Sequence, residues 1–395
     1  MSFEIALTGI NAINTQLETI SNNIANTGTY GYKSGRANFA SMYAGTQPTG
    51  VVVSSVTQSL DIGGSVLTTG RALDVAISGK GYFATRDTTG ETLFTRVGIF
   101  STDAKGFVVD GFGRKLQGYA AVEGSTALGA FGDLTVTKGQ IAAQASTSLD
   151  YVSNLSADWT TPAVAPFDAT DAQTFNSSSV SVVYDSLGVQ HTVTQYFVHS
   201  NTNQVTVHYA FDGAVLGTTA TLQFGTDGAL VSPAAAVPVA LGTPAGADAM
   251  TLNVDYTGTT QYAGSTTITV NSTDGYASGV YTGVTIEEDG SVMAQYSNDE
   301  KKKVGTVALA TFPNEDKLVA VSDTSWTVSN DSGEPLYNVP GTGVAGTLTG
   351  GALEQSNVDL TSQLVSLMTA QRNYQANTKV FSTQNAMMQS LMQSM

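Results

Sequence analysis

Ser2-Phe-Glu-Ile-Ala-Leu-Thr-Gly-Ile-Asn-Ala-Ile-Asn-Thr-Gln-Leu-Glu-Thr-Ile-Ser-Asn-Asn-Ile-Ala-Asn26 opens the chain with one unbroken pattern. Ala6, Ile10, Ile13, Leu17, Ile20 and Ile24 step by 4, 3, 4, 3 and 4 residues. That spacing returns a side chain to one narrow stripe of an α-helix, the seam of a coiled coil. Asn26-Thr27-Gly28 then reads as a helix stop, with Gly28 suited to a left-handed cap.

The far end repeats the pattern. Ser356-Asn-Val-Asp359 has the form of a capping box. Beyond it Leu360, Leu364, Leu367, Gln371, Tyr374, Thr378, Phe381, Asn385, Met388 and Met392 alternate steps of 4 and 3. No glycine or proline interrupts this run, which predicts a helix of about 35 residues, roughly 50 Å long. Both helices have flanks of Asn, Gln, Ser and Thr. Residues 1–36 hold only Glu4, Glu18, Lys33 and Arg36, and residues 351–395 only Glu354, Asp359, Arg372 and Lys379. A solvated helix normally carries Lys and Glu on its flanks. Uncharged polar flanks suit a helix packed among many neighbours, where an unpaired charge is costly. The polar seam positions Gln371, Thr378 and Asn385 lower stability but fix register. These sixteen seam residues are the candidate self-assembly element, and the partner they imply is another copy of the chain in a head-to-tail polymer. A simple intramolecular stalk is the plainer alternative.

Between the two seams the chain reads as β-structure. Leu73, Val75 and Ile77 alternate with Asp74, Ala76 and Ser78, and Gly79 and Gly81 mark a turn. No Lys or Arg occurs between Lys138 and Lys301, and residues 151–276 carry nine Asp and no Glu. Short Thr, Val and Tyr runs with Asp-Gly turns make this stretch an all-β domain. Pro162, Pro166, Pro233, Pro238 and Pro244 are expected in its loops. The expected fold is therefore multidomain α+β: coiled-coil-like N- and C-terminal helices plus two mainly-β domains of antiparallel sandwich or barrel type, the second inserted in the first. The boundaries are 1–69 for the first helix and an extended connector, 70–150 with 277–350 for a discontinuous β domain, 151–276 for the acidic insert, and 351–395 for the last helix.

Composition closes off other classes. The chain has 395 residues, of which 41% are hydrophobic, enough to bury real cores. The absence of Cys removes disulfides, thiolate zinc sites and Cys nucleophiles. A net charge of −16 leaves no basic footprint for nucleic acid and disfavours anionic membranes. No apolar run spans a bilayer, and the first residues lack the form of a cleaved secretion signal. Gly79-Lys-Gly81-Tyr-Phe-Ala84 matches a dinucleotide fingerprint formally, yet Thr85 to Gly90 forms a turn where that function needs a helix. His191, His199 and His208 fall in one hairpin, and His191 and His199 stand roughly 26 Å apart along a strand, too far to share a zinc ion. They read as solvated strand histidines. Glu287-Glu-Asp-Gly290 reads as a hairpin turn, and no nucleophile–base set is present, so no catalytic, cofactor or metal residue is assigned.

Four blocks carry a resemblance. Asn22-Asn-Ile-Ala-Asn-Thr-Gly-Thr-Tyr-Gly-Tyr-Lys33 resembles the N-terminal signature of the flagellar rod and hook axial proteins. Gly70-Arg-Ala-Leu-Asp-Val-Ala-Ile-Ser-Gly-Lys-Gly-Tyr-Phe83 is similar to their next block. Phe94-Thr-Arg-Val-Gly98 with Asp110-Gly-Phe-Gly113 and Leu116-Gln-Gly-Tyr119 is similar to the third. Asn357 to Gln384, with Gln371-Arg-Asn-Tyr-Gln-Ala-Asn377, resembles the C-terminal signature. Asp274-Gly-Tyr-Ala-Ser-Gly279, Ile286-Glu-Glu-Asp-Gly290, Gln295-Tyr-Ser-Asn298 and Gly305-Thr-Val-Ala-Leu-Ala310 look like the returning segment of the hook branch. Asn298-Asp-Glu-Lys-Lys-Lys303 departs from that pattern. Residues 151–273 match no such block. The resemblance implies a curved, flexible extracellular tube that joins rod to filament and transmits motor torque. It implies as partners the rod, hook cap and hook–filament junction proteins and the flagellar type III export apparatus, with export independent of a cleaved signal. A distal rod protein of the same family and a secreted β-rich adhesin or binding module are the rival readings.

Overall fold

A computed structural model describes residues 2–122, 125 and 127–394. Helix α1 spans Ser2–Ala25 and helix α2 spans Leu360–Ser394. The 3.6-residue period of the apolar positions explains both, and side chains bond the backbone at the end of α1 and at the start of α2. At the end of α1, Asn26 and Thr27 bond back to Asn22 and Ile24. The left-handed residue there is Gly31 (φ 69°), not Gly28. At the start of α2, Asp359 Oδ1 accepts the N–H of Thr361 at 2.9 Å and of Ser362 at 3.4 Å. Asp359 is therefore the N-cap, and Ser356 instead turns its hydroxyl to the amide of Val358.

The stretch expected as an extended connector forms a hairpin. Strand β1 (Gly35–Ala44) pairs antiparallel with β2 (Gln47–Gln58), turning through Gly45 at φ 64°. The hairpin packs along α1.

The chain divides into two units. The first comprises residues 1–138, 283–295 and 301–395. Its β body is organised around strand Lys115–Ala121, which pairs with Tyr82–Arg86, Leu128–Asp133 and Lys301–Val307. Tyr82, Phe94, Phe312 and Trp326 fill its core with edge-on aromatic contacts. Two strand pairs bring early and late sequence together. Val75–Ser78 pairs with Thr347–Gly350, and Val66–Thr68 with Ala352–Glu354. The fingerprint-like glycines Gly79 and Gly81 sit at φ 108° and 119°, as a turn between strands requires.

The second unit comprises residues 139–282 and 296–300. A five-stranded antiparallel meander runs from Ser177 to Ser232. It faces a four-stranded sheet ordered Val237–Gly242, Met250–Asp255, Ser148–Asn154, Thr267–Thr273. Leu149, Tyr151, Phe197, Val207, Leu222, Leu252 and Val254 interdigitate between them, a sandwich core. One pairing departs from the antiparallel expectation: Ser148–Asn154 runs parallel to Met250–Asp255. The whole meander lies between these strands in sequence and supplies the long crossover that a parallel pair needs. Pro238 is not in a loop; it lies in the edge strand Val237–Gly242, where a missing N–H is tolerated.

Candidate self-assembly interface

The seam of α1 meets α2. Ile13 and Ile20 are buried against Ala370, with Leu17, Ile24 and Leu367 packed around them. Ala6 is buried, and Ile10 is half-buried. Small residues set how closely the helices approach. A side chain at Gly9 would meet the Asn377 amide, and Ala12 and Ala370 are also buried.

Only part of the C-terminal seam takes part in this contact. Leu367 packs on α1, and Phe381 and Asn385 are half-buried. Leu360, Leu364, Gln371, Tyr374, Thr378, Met388 and Met392 are exposed. The stripe that α2 turns to α1 is Gln363, Leu367, Ala370 and Asn377. The apolar seam residues left open are joined by Val365 outside the seam: Leu364 is 44% exposed, Val365 54%, Met388 55% and Met392 74%. So many exposed apolar side chains on one helix mark an interaction surface.

Asn23 fastens α1 to the hairpin and to α2. Its amide donates to the Gly35 carbonyl at 2.8 Å and to Gln363 Oε1 at 3.3 Å, while its oxygen accepts the Gly35 N–H at 2.8 Å and the Tyr32 hydroxyl at 3.2 Å. Asn357 does the same for the start of α2. It accepts the Ser34 N–H at 2.7 Å and donates to the Ser59 and Ile62 carbonyls at 3.0 Å.

Beneath these sits a charge cluster that no periodicity count could reveal. Glu354 Oε1 accepts from Lys33 Nζ at 2.7 Å and from the Gly64 amide at 3.0 Å; Oε2 faces Arg96 at 3.2 Å. Lys33 also donates to the Ile62 carbonyl, and Arg96 to the Gly79 carbonyl, each at 2.8 Å. The Lys33 and Glu354 side chains are 0% and 1% exposed. Burial pushes the Lys33 pKa down, Glu354 pulls it back, and Arg96 adds to the lowering. Lys33 and Arg96 lie in two of the family-like sequence blocks, but nothing in those blocks says that they share one carboxylate.

A pair of terminal helices with exposed apolar side chains, tied by buried polar groups to a β body, is an architecture that suits a structural subunit. Among the described residues no helix is long and apolar enough to cross a membrane, and no cluster of His, Asp and Glu could hold a metal ion.

Comparison with known proteins agrees. Residues 3–33 match the family model described as flagella basal body rod protein, and residues 76–147 match the flagellar hook protein FlgE/F/G D1 domain. Residues 154–276, where the sequence carries no family-like block before Asp274, match the flagellar basal body protein FlaE D2 domain. Residues 349–394 match the flagellar basal body rod FlgEFG protein C-terminal domain. The flagellar hook protein FlgE of Escherichia coli K12 is 36% identical over 99% of both chains. Those of Brucella abortus and Treponema pallidum are 33% and 30% identical, over 95% and 98% of this chain and 94% and 97% of theirs. The crystal structure of Helicobacter pylori flagellar hook protein FlgE2 covers 73% of this chain and 99% of its own at a TM-score of 0.52 and 13% identity, a likeness of fold. The chain belongs to the flagellar hook protein family and is a structural subunit of the extracellular flagellum, in the hook.

Proposed function

We propose that this subunit polymerises head-to-tail through α1, α2 and the β1–β2 hairpin, giving a curved, flexible tube that joins rod to filament and carries torque. Family membership implies a homopolymeric hook assembly. The observation that carries the finer reading is the set of exposed apolar side chains on α2. Leu364, Met388 and Met392 belong to a 4-3 seam, and the α1–α2 contact leaves them exposed. Water disfavours such exposed side chains by about 25 cal/mol for each Å² of apolar surface, so copies that cover them are favoured. A heterologous contact repeated without closure gives an open helical polymer. The role is structural rather than catalytic. The rod, hook cap, hook–filament junction proteins and export apparatus are the other partners in this reading.

Electron microscopy of the purified full chain at high concentration tests it. Curved tubes are expected. Straight rods would favour a rod protein, and persistent monomers at every concentration would sink the proposal.

A further inference from the structure

His191 stands at the start of strand Gln190–Asn201, at one end of the five-stranded meander. Two turns flank it. Asp185 lies in the turn before that strand, and Asp212 in the turn between Gln204–Phe211 and Ala214–Phe224. Each carboxylate is anchored by one oxygen. Asp185 Oδ1 accepts the N–H groups of Leu187 at 2.9 Å and Val189 at 2.8 Å. Asp212 Oδ1 accepts the N–H of Thr192 at 2.8 Å and its hydroxyl at 3.2 Å. The second oxygen of each faces the imidazole. Asp212 Oδ2 is 2.7 Å from Nδ1, and Asp185 Oδ2 is 3.4 Å from Nε2.

A neutral imidazole has one N–H and one lone pair, so it can donate to only one of the two carboxylates. The other contact would set a ring lone pair against a carboxylate oxygen. The imidazolium donates to both. Asp185 and Asp212 are the charged groups acting on the ring; the Phe211 ring lies beside it with centroids 5.0 Å apart. No lysine or arginine occurs anywhere in residues 139–300.

We propose that His191 is a proton-operated staple in the acidic unit: as an imidazolium it ties the two turns together, and on losing its proton it releases one of them. Burial alone would lower its pKa, but the hydrogen bonds to Asp212 and Asp185, with their charges, outweigh that and raise it. The other two histidines lack this arrangement. His208 stacks on Phe167 with centroids 4.1 Å apart and burial lowers its pKa, while the His199 ring meets the neutral Thr161 hydroxyl. The hook lies outside the cell, so the pH that sets the staple is that of the medium.

A raised folded value fixes the sign. The stabilisation is complete below the unfolded value of 6.5 and is lost as pH rises through the higher folded value. The test is histidine-resolved NMR on the full-length monomer between about pH 5 and 9, with His208 as internal comparison. His191 should titrate above His208. Asp212→Asn should lower the His191 midpoint while keeping the turn, because Asn accepts the left-handed φ of 47° that Asp212 adopts. Thermal unfolding supplies a second readout. The melting temperature of the unchanged chain should fall as pH rises past neutrality, and His191→Gln should remove that loss. A His191 midpoint at or below that of His208, or one unmoved in Asp212→Asn, overturns the proposal. This result is independent of whether the chain forms curved tubes.

Discussion

Lys33 Nζ and Glu354 Oε1 lie 2.7 Å apart although 321 residues separate them in sequence. The pair joins the segment leaving α1 to the segment entering α2, and Arg96 adds the β body to the same carboxylate. Replacing Glu354 by Gln leaves two buried cations facing each other. Breaking a buried pair from one side costs about 3–5 kcal/mol. Glu354→Gln should therefore lower the urea midpoint of the full chain strongly, followed by the fluorescence of buried Trp326. Lys33→Met with Glu354→Met should cost less than the two single changes added, because Lys33 is then no longer buried without its counter-charge, while Arg96 still loses its carboxylate. An unchanged midpoint in Glu354→Gln would show that the cluster is not a clamp.

The packed and the exposed positions of α2 should separate by mutation. Leu364→Asp and Met388→Asp each place a charge at an exposed position of α2 and should leave the monomer's melting temperature nearly unchanged, since surface substitutions lie within about ±0.5 kcal/mol. Both should abolish tubes in electron micrographs. Ile13→Asp and Leu367→Asp strike the α1–α2 contact itself, so they should loosen the helix pair as well as stop assembly. Limited proteolysis of the termini reads the difference. Tubes formed by Leu364→Asp and Met388→Asp would remove these exposed positions from the assembly surface.

Gly98 ends the block Phe94-Thr-Arg-Val-Gly98, and its backbone conformation is one that any residue can adopt. Space is the constraint. A Cβ there would fall on the carbonyl oxygen of Val75, whose N–H donates to the Gly98 carbonyl at 2.9 Å. Backbone has to move, so Gly98→Ala should cost at least the ~1–3 kcal/mol typical of overpacking. Calorimetry should show the loss, and Gly111→Ala, with open space around it, should not.

Acid should weaken the second unit at a definable point. Asp274 Oδ1 accepts the N–H groups of Thr147 at 2.8 Å and Ser148 at 2.9 Å, and Oδ2 accepts the Thr147 hydroxyl. Burial alone would raise its pKa, but these bonds hold it below the ordinary aspartate value of 3.8. Its contribution is therefore complete above pH 3.8 and lost as pH falls through the lower folded value. Asp274→Asn should lower the melting temperature at neutral pH and flatten the decline below pH 4.

How much of this was legible in the sequence differs from element to element. Ile13, Leu17, Ile20 and Ile24 declare α1 and its buried side because a helix returns side chains every 3.6 residues. The same rule places α2 but not its contact face. A seam count weighs large apolar residues, whereas close helix approach selects small ones, and Ala370 packed on Ile13 and Ile20, with Gly9 facing Asn377, settles which stripe of α2 meets α1. The β1–β2 hairpin is hidden in the sequence because its strands rest on a helix rather than a sheet, so their alternation is weak. The histidines read as solvated strand residues; His191 instead bridges two carboxylates from different turns.

Local chemistry therefore determined the two helices, the turns and the acidic character of the middle, since each depends on neighbours along the chain. Contacts across hundreds of residues were decided by the tertiary structure alone. Glu354 reads as one carboxylate before a helix until the strand pair Val66–Thr68 with Ala352–Glu354 brings it under Lys33 and Arg96. A buried charge acquires its meaning from the partners that folding delivers, and those partners have no fixed spacing in sequence.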